Sequence, residues 1–270
     1  MLTTQQVAQY ERNGFLILPD WFSAAEVAAM KAELVRLSRI QTDEVTREKS
    51  GSARSVFRVH DRESPTASDV YYAATRLPRM LGVARQVTGE DELYIHHSKC
   101  NLKPAIDGSI WQWHQDYGTW KVDGIAQPDM TTIMVMVDEA TEMGGCLYFL
   151  PGSHRYGRAD SWLDAETTGY KIWVPTKERI LELMGELGDP VPIVGKPGTA
   201  ALIHPNLLHG SGHNMSPRSR WHVYLVYNPC ANGPAEVENP RPEWVRSTKC
   251  HEPLELVADD SVLRMPAAAE

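Results

Sequence analysis

The sequence predicts a mainly β fold, either a β-sandwich or a jelly roll, with α-helices outside it. From Leu93 onward, short segments rich in β-branched and aromatic residues alternate with turns that contain Pro and Gly. Helical patterns do not alternate with these segments, so a parallel α/β sheet is not expected. A length of 270 residues suits one domain of this class. We expect a mainly helical part at 1–92, a strand-rich core at 93–228 and a C-terminal wrap at 229–270.

The N-terminal part carries clear helix signals. A short helix is predicted from Thr4 to Gly14, followed by a buried strand at Phe15–Pro19. Ser23 with Glu26 three residues later forms a capping-box pattern in front of an amphipathic helix. Residues 70–87 are helical again, with a break near a proline. These helices are expected to cover one face of the β core.

Two stretches lack this regularity. Residues 41–64 are charged and Ser-rich, which predicts a mobile surface segment that orders over a substrate. Residues 155–190 look like an insertion in the core with a helix at Lys177–Leu187. The predicted core strands are Leu93–His97, Thr131–Val137, Gly145–Leu150, Thr199–Ile203 and Trp221–Tyr227.

Composition excludes several classes of protein. The net charge of -8 and the absence of a basic run argue against nucleic-acid binding, which depends on a surplus of Lys and Arg. No stretch reaches the roughly 18 apolar residues that a membrane span needs. Four widely spaced cysteines, without a CxxC pair, favour reduced thiols. We expect a cytoplasmic protein, monomeric or homodimeric, with a small-molecule substrate.

The stretch Trp113-His114-Gln115-Asp116 is the first candidate for chemistry. On a strand, His114 and Asp116 would project from the same face and could hold one metal ion. His209, followed by Gly and Ser, is a candidate third ligand. Two histidines and one carboxylate leave three positions open on iron(II), which is typical of oxygen-activating enzymes. Zinc competes for the same ligands.

Two neighbouring residues compete with these candidates. His204 could replace His209 as a ligand, but it lacks the Gly-Ser that follows His209. Arg220 lies eleven residues after His209 at the start of a predicted strand, and its guanidinium could hold a carboxylate through two hydrogen bonds. Arg218 is the competing arginine, and we predict that it is a solvated turn residue.

The order of four motifs resembles the phytanoyl-CoA dioxygenase family of iron(II)- and 2-oxoglutarate-dependent oxygenases. The similarity extends from about Thr4 to Asn228. The motifs that carry it are Ile95-His96-His97-Ser98-Lys99-Cys100-Asn101-Leu102-Lys103-Pro104, Trp113-His114-Gln115-Asp116-Tyr117-Gly118-Thr119-Trp120, Gly144-Gly145-Cys146-Leu147-Tyr148-Phe149-Leu150-Pro151-Gly152-Ser153-His154-Arg155, and His209-Gly210-Ser211 through Arg220. This resemblance implies a double-stranded β-helix, a cupin-like jelly roll with flanking helices.

The resemblance also implies cofactors and residue roles. The cofactor is iron(II), and the co-substrates are 2-oxoglutarate and O2. His114, Asp116 and His209 would be the iron ligands. The co-substrate contacts would be Arg220, Ser211, Asn101 and Thr132. Trp120 would stack on the substrate, and Gln112, two residues before His114, is a further candidate contact. The presence of Asp116 implies hydroxylation, because related halogenases have a small residue in its place.

The substrate implied is a small polar or zwitterionic molecule, such as an amino acid, an ectoine-like compound or an aminophosphonate, or else a larger natural-product intermediate. His97, Lys99 and Lys103 would suit an anionic group but are equally plausible as surface charges. Because His96 and His97 are adjacent, one is expected to face inward and one outward. Competing functions are a zinc or manganese hydrolase or isomerase on a cupin-like fold and a non-catalytic binding protein. A hydrolase would not require Arg220 with Ser211.

Overall fold

A computed structural model describes residues 1–166, 171–246 and 251–265. Within them the helices are α1 (Thr4–Asn13), α2 (Ala24–Ser38), α3 (Asp69–Thr75), α4 (Val83–Thr88), α5 (Asp116–Trp120), α6 (Lys177–Leu187) and α7 (Ser261–Arg264). The strands are β1 (Phe15–Leu18), β2 (Val45–Arg47), β3 (Ala53–Phe57), β4 (Leu93–Lys103), β5 (Trp111–His114), β6 (Thr131–Met136), β7 (Leu147–Phe149), β8 (Ser161–Asp164), β9 (Ile172–Pro175), β10 (Val191–Ile193), β11 (Ala200–Ile203), β12 (His209–Ser211) and β13 (Arg220–Pro229).

The N-terminal helices form where the capping signals predicted them. Ser23 and Glu26 make the reciprocal hydrogen bonds of a capping box at the start of α2. Helix α1 ends at Gly14, whose φ of 78° is the left-handed conformation that glycine adopts without a steric penalty. The 70–87 stretch is α3, a π-helical turn at Pro78–Gly82 and α4. Its predicted break therefore lies at the proline.

The strands form two antiparallel sheets. The larger sheet has the order β1-β11-β6-β13-β4-β3-β2, and the smaller has the order β10-β7-β12-β5. Apolar side chains from both sheets, including Phe15 and Met134 from the larger and Leu147 and Phe149 from the smaller, form one buried cluster. The sheets therefore pack face to face around a shared core. The predicted jelly-roll core with flanking helices is confirmed.

The helices cover the other face of the larger sheet. The largest buried cluster joins Met30 and Leu34 of α2 with Leu81 of the π-helical turn and with Val223 and Leu225 of β13. Side chains of β13 alternate, so Arg220, His222, Tyr224 and Val226 lie on the opposite face, toward the smaller sheet. This alternation leaves polar side chains between the two sheets.

Two predictions about irregular segments need correction or refinement. Residues 41–64 are not a mobile surface loop, because β2 and β3 extend the larger sheet beyond β4. The apolar residues of these strands, Val45, Val56 and Phe57, are few and show no alternation along the sequence. The 155–190 insertion contains the β8–β9 hairpin and α6, whose bounds match the predicted helix.

The C-terminal stretch runs along the helical side of the molecule. Leu254 donates a backbone hydrogen bond to Leu93, Val257 donates one to Arg76, and α7 packs against α2 and α3. Positions 167–170 of the insertion, and 247–250 and 266–270 of the predicted wrap, lie outside the described residues, as does Cys250. Cys100 and Cys146 are buried free thiols. No helix among the described residues is long and apolar enough to cross a membrane.

Candidate active site

Three side chains converge where the smaller sheet meets a short helix. His114 ends β5, Asp116 begins α5, and His209 begins β12. One ligand atom from each of them lies within 4.8 Å of the other two. The sequence argument assumed that Asp116 lies on the same strand as His114. In the structure Asp116 lies outside the strand. The chain turns into α5 after Gln115, and this turn brings the carboxylate beside His114, with 3.6 Å between His114 Nε2 and Asp116 Oδ1.

The register between β5 and β12 contains a bulge. His209 pairs with His114 and Ser211 pairs with Trp111, so three residue steps on β5 oppose two on β12. Trp111 and His114 consequently line the same cavity, which we call the catalytic cavity. Gln112 instead lines a separate cavity of about 700 Å³ between β5, the β8–β9 hairpin and α6. The expectation that Gln112 shares a face with His114 is wrong because of this bulge.

Backbone carbonyls fix the orientation of both imidazoles. His114 Nδ1 lies 2.6 Å from the carbonyl oxygen of Gln112, and His209 Nδ1 lies 3.0 Å from that of Leu207. A carbonyl only accepts hydrogen bonds, so each Nδ1 carries the proton and each Nε2 presents a lone pair. Burial lowers the pKa of His209 to about 4. Its ring is therefore neutral at physiological pH and ready to act as a ligand.

Asp116 supplies the negative charge of the cluster. Burial by itself would raise the pKa of the Asp116 carboxyl, but the neighbouring side chains of His114, His209 and Lys99 hold that pKa below its ordinary value. The carboxylate is consequently ionised throughout the physiological range. Two imidazoles and one carboxylate are the donor set of a facial iron(II) site with three open positions.

Arg220 is buried between the sheets, with 1% of its surface exposed. Its Nη2 donates to the carbonyl of Gly145 at 2.6 Å, and its Nη1 lies 3.3 Å from His222 Nδ1. Its Nε has no hydrogen-bond partner among the described residues. Arg218 is 71% exposed and pairs with Glu139 at the surface. The structure thus buries the favoured arginine and exposes its competitor.

The other predicted co-substrate residues do not form one group, because Thr132 pairs with Val226, six residues from Arg220 on β13. Ser211 Oγ accepts a 2.9 Å hydrogen bond from the buried Lys103, and Ser211 pairs in the sheet with Leu147, which lines the catalytic cavity. Asn101 lines the same cavity and accepts a hydrogen bond from Ser55. Thr132 also lines it, and its hydroxyl is buried without a partner in the described chain. Burial, followed by the charge of Arg220, lowers the pKa of Lys103 to about 6.

These features fit an iron ion with a dicarboxylate beside it. The three ligand atoms are close enough for one ion, and the histidine tautomers are those that ligation needs. The unpaired Arg220 Nε and Thr132 hydroxyl are buried polar groups of the kind that a bound carboxylate satisfies. His204 lies outside the cluster, where its ring packs 4.9 Å from that of His154.

The wall of the catalytic cavity is aromatic and cationic. Trp120 is 3% exposed and lines the cavity together with Trp111, Tyr224, Lys99 and Arg241. Lys99 Nζ lies 4.0 Å from the centre of the Trp111 ring, a cation–π contact. Lys99 is thus a buried residue of the site and not a surface charge. Sequence reasoning missed Tyr224, which the alternation from Arg220 could have indicated, and Arg241, which lies in a Pro-rich segment with no periodic signal.

His96 and His97 both lie near Trp120, with ring centres 5.6 and 6.3 Å from the Trp120 ring. The expected inward and outward arrangement is wrong, because the pairing of β4 with β13 contains a bulge at this position. His97 lines the catalytic cavity, and its Nδ1 lies 3.0 Å from the carbonyl oxygen of Val245. Burial lowers the pKa of His97 well below its ordinary value. The neutral ring consequently donates through Nδ1 and carries its acceptor lone pair on Nε2.

Fold and site together define a class. A jelly roll that places two histidines and an ionised aspartate around one point, with a buried arginine between its sheets, is the framework of a non-haem iron oxygenase. Residues 10–221 match the model of the phytanoyl-CoA dioxygenase (PhyH) family. The chain belongs to this family, as its motifs predicted, and is an iron(II)- and 2-oxoglutarate-dependent dioxygenase.

Curated relatives match most of the chain. An ectoine dioxygenase of Bordetella bronchiseptica is 34% identical over 261 residues, which cover 90% of this chain and 82% of that protein. An L-proline trans-4-hydroxylase of Streptomyces griseoviridis is 31% identical over 248 residues, with 86% and 88% covered. A crystal structure of EctD from S. alaskensis with 2-oxoglutarate and 5-hydroxyectoine superposes with a TM-score of 0.80 at 32% identity, covering 95% of this chain and 88% of that one.

Proposed function

We propose that this protein hydroxylates a small polar or zwitterionic molecule and couples the reaction to conversion of 2-oxoglutarate into succinate and CO2. The observation that carries the proposal is the cluster of His114, Asp116 and His209, whose ligand atoms lie within 4.8 Å of one another. Relatives named ectoine dioxygenase and L-proline trans-4-hydroxylase support a substrate of amino-acid size. The buried cationic side chains of the cavity support a substrate with an anionic group.

In the proposed site, His114 Nε2, His209 Nε2 and an Asp116 oxygen hold iron(II). Arg220 and Ser211 bind the distal carboxylate of 2-oxoglutarate, and Asn101 and Thr132 make further polar contacts with it. The support for these assignments is the buried, unpaired Arg220 Nε and Thr132 hydroxyl, which gain partners when a carboxylate is present. Bound iron(II) and 2-oxoglutarate supply the oxidant that transfers an oxygen atom from O2 to a C–H bond.

The chain's own residues determine which C–H bond lies beside the metal. Trp120 and Trp111 are 3% and 5% exposed, and they provide flat, rigid surfaces against which a substrate can stack. Their bulk also excludes water from the reacting atoms. Asp116 stays ionised at neutral pH, so the three side chains would supply one negative charge to a bound metal ion. His97 Nε2 can accept a hydrogen bond from a substrate N–H or O–H group.

Arg241 is the proposed contact for the anionic group of the substrate. Its Nε donates to Asp123 at 2.6 Å, and its backbone N–H donates to the other carboxylate oxygen at 3.0 Å. Asp123 is 2% exposed and therefore anchors the guanidinium firmly at the cavity wall. A guanidinium held in this way binds a carboxylate or phosphonate at little cost in conformational entropy. The Gln112 side chain, in the neighbouring cavity, has no part in this proposal.

A turnover assay tests the proposal. Protein loaded with iron(II) is incubated with 2-oxoglutarate and a panel of amino acids, cyclic amines, ectoine and aminophosphonates, and succinate is measured together with hydroxylated product. We expect one of these compounds to raise succinate release well above the rate without substrate. His114→Ala should remove that increase and should weaken Mn²⁺ binding in equilibrium dialysis, which reports the metal site independently of turnover.

His204→Ala is the matched control, since this histidine lies outside the cluster, and it should retain both metal binding and turnover. Equal loss of metal binding in the two variants would contradict the ligand assignment. The oxygenase proposal would be wrong if His114→Ala released as much succinate as the parent protein with every compound. A zinc hydrolase or isomerase would use the same three ligands but would gain nothing from Arg220 beside Ser211.

We also propose that residues 1–270 form a single catalytic domain located in the cytoplasm. One continuous buried cluster extends from Leu2 to Val262 and includes residues of the helices and of the larger sheet. The buried free thiols of Cys100 and Cys146 suit a reducing compartment. Limited proteolysis tests the domain proposal, because one domain should yield no stable fragment that lacks either the helices or the strands.

A further inference from the structure

A second cavity opens beside the catalytic cavity. It has a volume of about 490 Å³ and shares two lining residues, Thr119 and Arg241, with the catalytic cavity. We call it the outer cavity. Its volume is within the range of roughly 300–1,000 Å³ that is usual for small-molecule sites. A ligand that fills the outer cavity therefore lies next to a ligand held at the metal cluster.

The walls of the outer cavity are mostly apolar. Trp173 and Trp244 line it, together with Leu163, Pro240 and Pro242. The neighbouring structure fixes both tryptophans. The backbone N–H of Trp173 donates to Thr119 Oγ1 at 3.3 Å, and the Trp244 ring packs edge-on against Phe57 with 5.5 Å between ring centres.

The charged residues that line the outer cavity are unevenly distributed. Asp123 is the acidic residue among those lining the outer cavity, and its carboxylate accepts hydrogen bonds from the backbone N–H and from Nε of Arg241. Lys171 is exposed at the rim. The Arg241 guanidinium thus lies at the boundary between a cationic, aromatic chamber and an apolar one. An occupant of both cavities needs an anionic centre at Arg241 with a substituent on each side.

We propose that the outer cavity binds an acyl or aryl group carried by the substrate, which identifies the substrate as an N-acylated or N-arylated amino acid. Its carboxylate contacts Arg241, its side chain extends past Trp120 to the metal cluster, and its N-substituent lies between Trp173 and Trp244. The Cα atom of such a molecule carries the carboxylate and both substituents, and this matches the branching of the two cavities at Arg241. The inference rests on the proposed function and specifies its substrate class.

Pairs of substrates test this inference. Free L-proline, L-leucine and L-isoleucine are compared with their N-acetyl and N-benzoyl derivatives in the succinate assay with iron(II) and 2-oxoglutarate. We expect kcat/KM for the best N-benzoyl compound to exceed that of its free amino acid by at least about tenfold, the effect of one well-packed aromatic contact. Equal or better turnover of every free amino acid would overturn the inference and leave the proposed hydroxylase function intact.

Variants of residues that line the outer cavity test whether this cavity causes the preference for N-benzoyl compounds. Trp173→Leu and Trp244→Leu should lower kcat/KM for the N-benzoyl compound about tenfold and change that for the free amino acid less than about twofold. Leu163→Trp fills the outer cavity and should act in the same direction without removing a contact. Trp162→Leu is the control, because Trp162 is 55% exposed and lines the separate cavity with Gln112. Equal losses for both members of a substrate pair would contradict the inference.

A binding measurement keeps the test independent of turnover. Protein with Mn²⁺ and 2-oxoglutarate under argon is titrated with the N-benzoyl compounds, and quenching of tryptophan fluorescence is recorded. Quenching that saturates, and that Leu163→Trp abolishes, supports the outer cavity as the site. Identical titrations for the parent protein and Leu163→Trp would overturn it. If no compound of either kind stimulates succinate release although N-benzoyl compounds bind, the proposed hydroxylase function fails and the binding site remains.

Discussion

The backbone N–H of Ala159 donates a 2.8 Å hydrogen bond to Oε1 of Gln115, the residue between His114 and Asp116. The Gln115 Nε2 group donates to the carbonyls of Gly157 at 2.8 Å and of Asn206 at 2.7 Å. One buried amide therefore ties two metal-ligand positions to the start of the insertion and to the turn that precedes His209.

Gln115→Glu should reveal this positioning role. A carboxylate still accepts from Ala159 but cannot donate to Gly157 and Asn206, so two carbonyls lose their partners and face a buried charge. We expect Mn²⁺ affinity to fall about 10–100-fold, the usual effect of losing a hydrogen bond that orients metal ligands. Equilibrium dialysis measures that affinity, and thermal unfolding without metal reports the accompanying loss of stability.

Gln115→Leu separates the effect on the positions of the metal ligands from the effect on folding stability. It removes all three hydrogen bonds without adding a charge, so it should be more stable than Gln115→Glu while binding Mn²⁺ equally poorly. Unchanged metal affinity in both variants, together with a lowered melting temperature, would reduce Gln115 to a structural role.

Arg220 and Arg218 offer a matched pair for the co-substrate. Arg220→Ala should raise the KM for 2-oxoglutarate by about 10–100-fold, because a hydrogen bond between charged groups in a buried site contributes about 1.5–3 kcal/mol. Arg218→Ala should leave that KM unchanged, since this side chain is exposed and pairs with Glu139. Initial rates of succinate release at varied 2-oxoglutarate decide the matter. Similar shifts in the two variants would reverse the choice of arginine.

His97 provides a prediction about the substrate. Its Nδ1 donates to Val245, so its Nε2 is available as an acceptor in the catalytic cavity. His97→Leu removes this acceptor and should raise the KM for the substrate about tenfold, whereas His97→Gln, whose amide oxygen also accepts, should recover most of the loss. The KM for 2-oxoglutarate is the internal reference and should stay constant. A larger defect in His97→Gln than in His97→Leu would contradict an acceptor role.

Sequence patterns predicted the fold and the three residues that cluster at the candidate metal site because each depends on local signals. The capping box at Ser23 and Glu26, the alternation of Arg220 to Val226, and the motifs at His114 and His209 are all visible within a few residues. The wrong predictions concern features that depend on how the β-strands pair. The bulge in β5, opposite β12, moved Gln112 away from the catalytic cavity. The bulge in β4 turned both His96 and His97 toward Trp120. No residue type in the sequence indicates either bulge. Arg241 joins the site through Asp123, a partner 118 positions away.

The acid limit of stability follows from histidines outside the metal cluster that are wholly or partly buried. Burial lowers the pKa of His60 to about 4, of His96 to about 3 and of His204 to about 4, from ordinary values near 6.5. Between these values the unfolded chain binds more protons than the folded chain, so the free energy of unfolding decreases as pH falls from 6.5 toward 4. Each histidine contributes up to about 1.4 kcal/mol per pH unit in that window.

Urea unfolding of the metal-free protein between pH 7.5 and 4.5 measures this dependence. Stability should be nearly constant above pH 7 and should decline steeply below pH 6.5. His204→Asn removes one titrating group and retains a side-chain oxygen that can accept from the backbone N–H of Asn206, as His204 Nδ1 does at 3.1 Å. The variant should therefore show a shallower decline than the parent protein below pH 6.5. A decline of the same steepness in both would mean that His204 titrates normally in the folded protein.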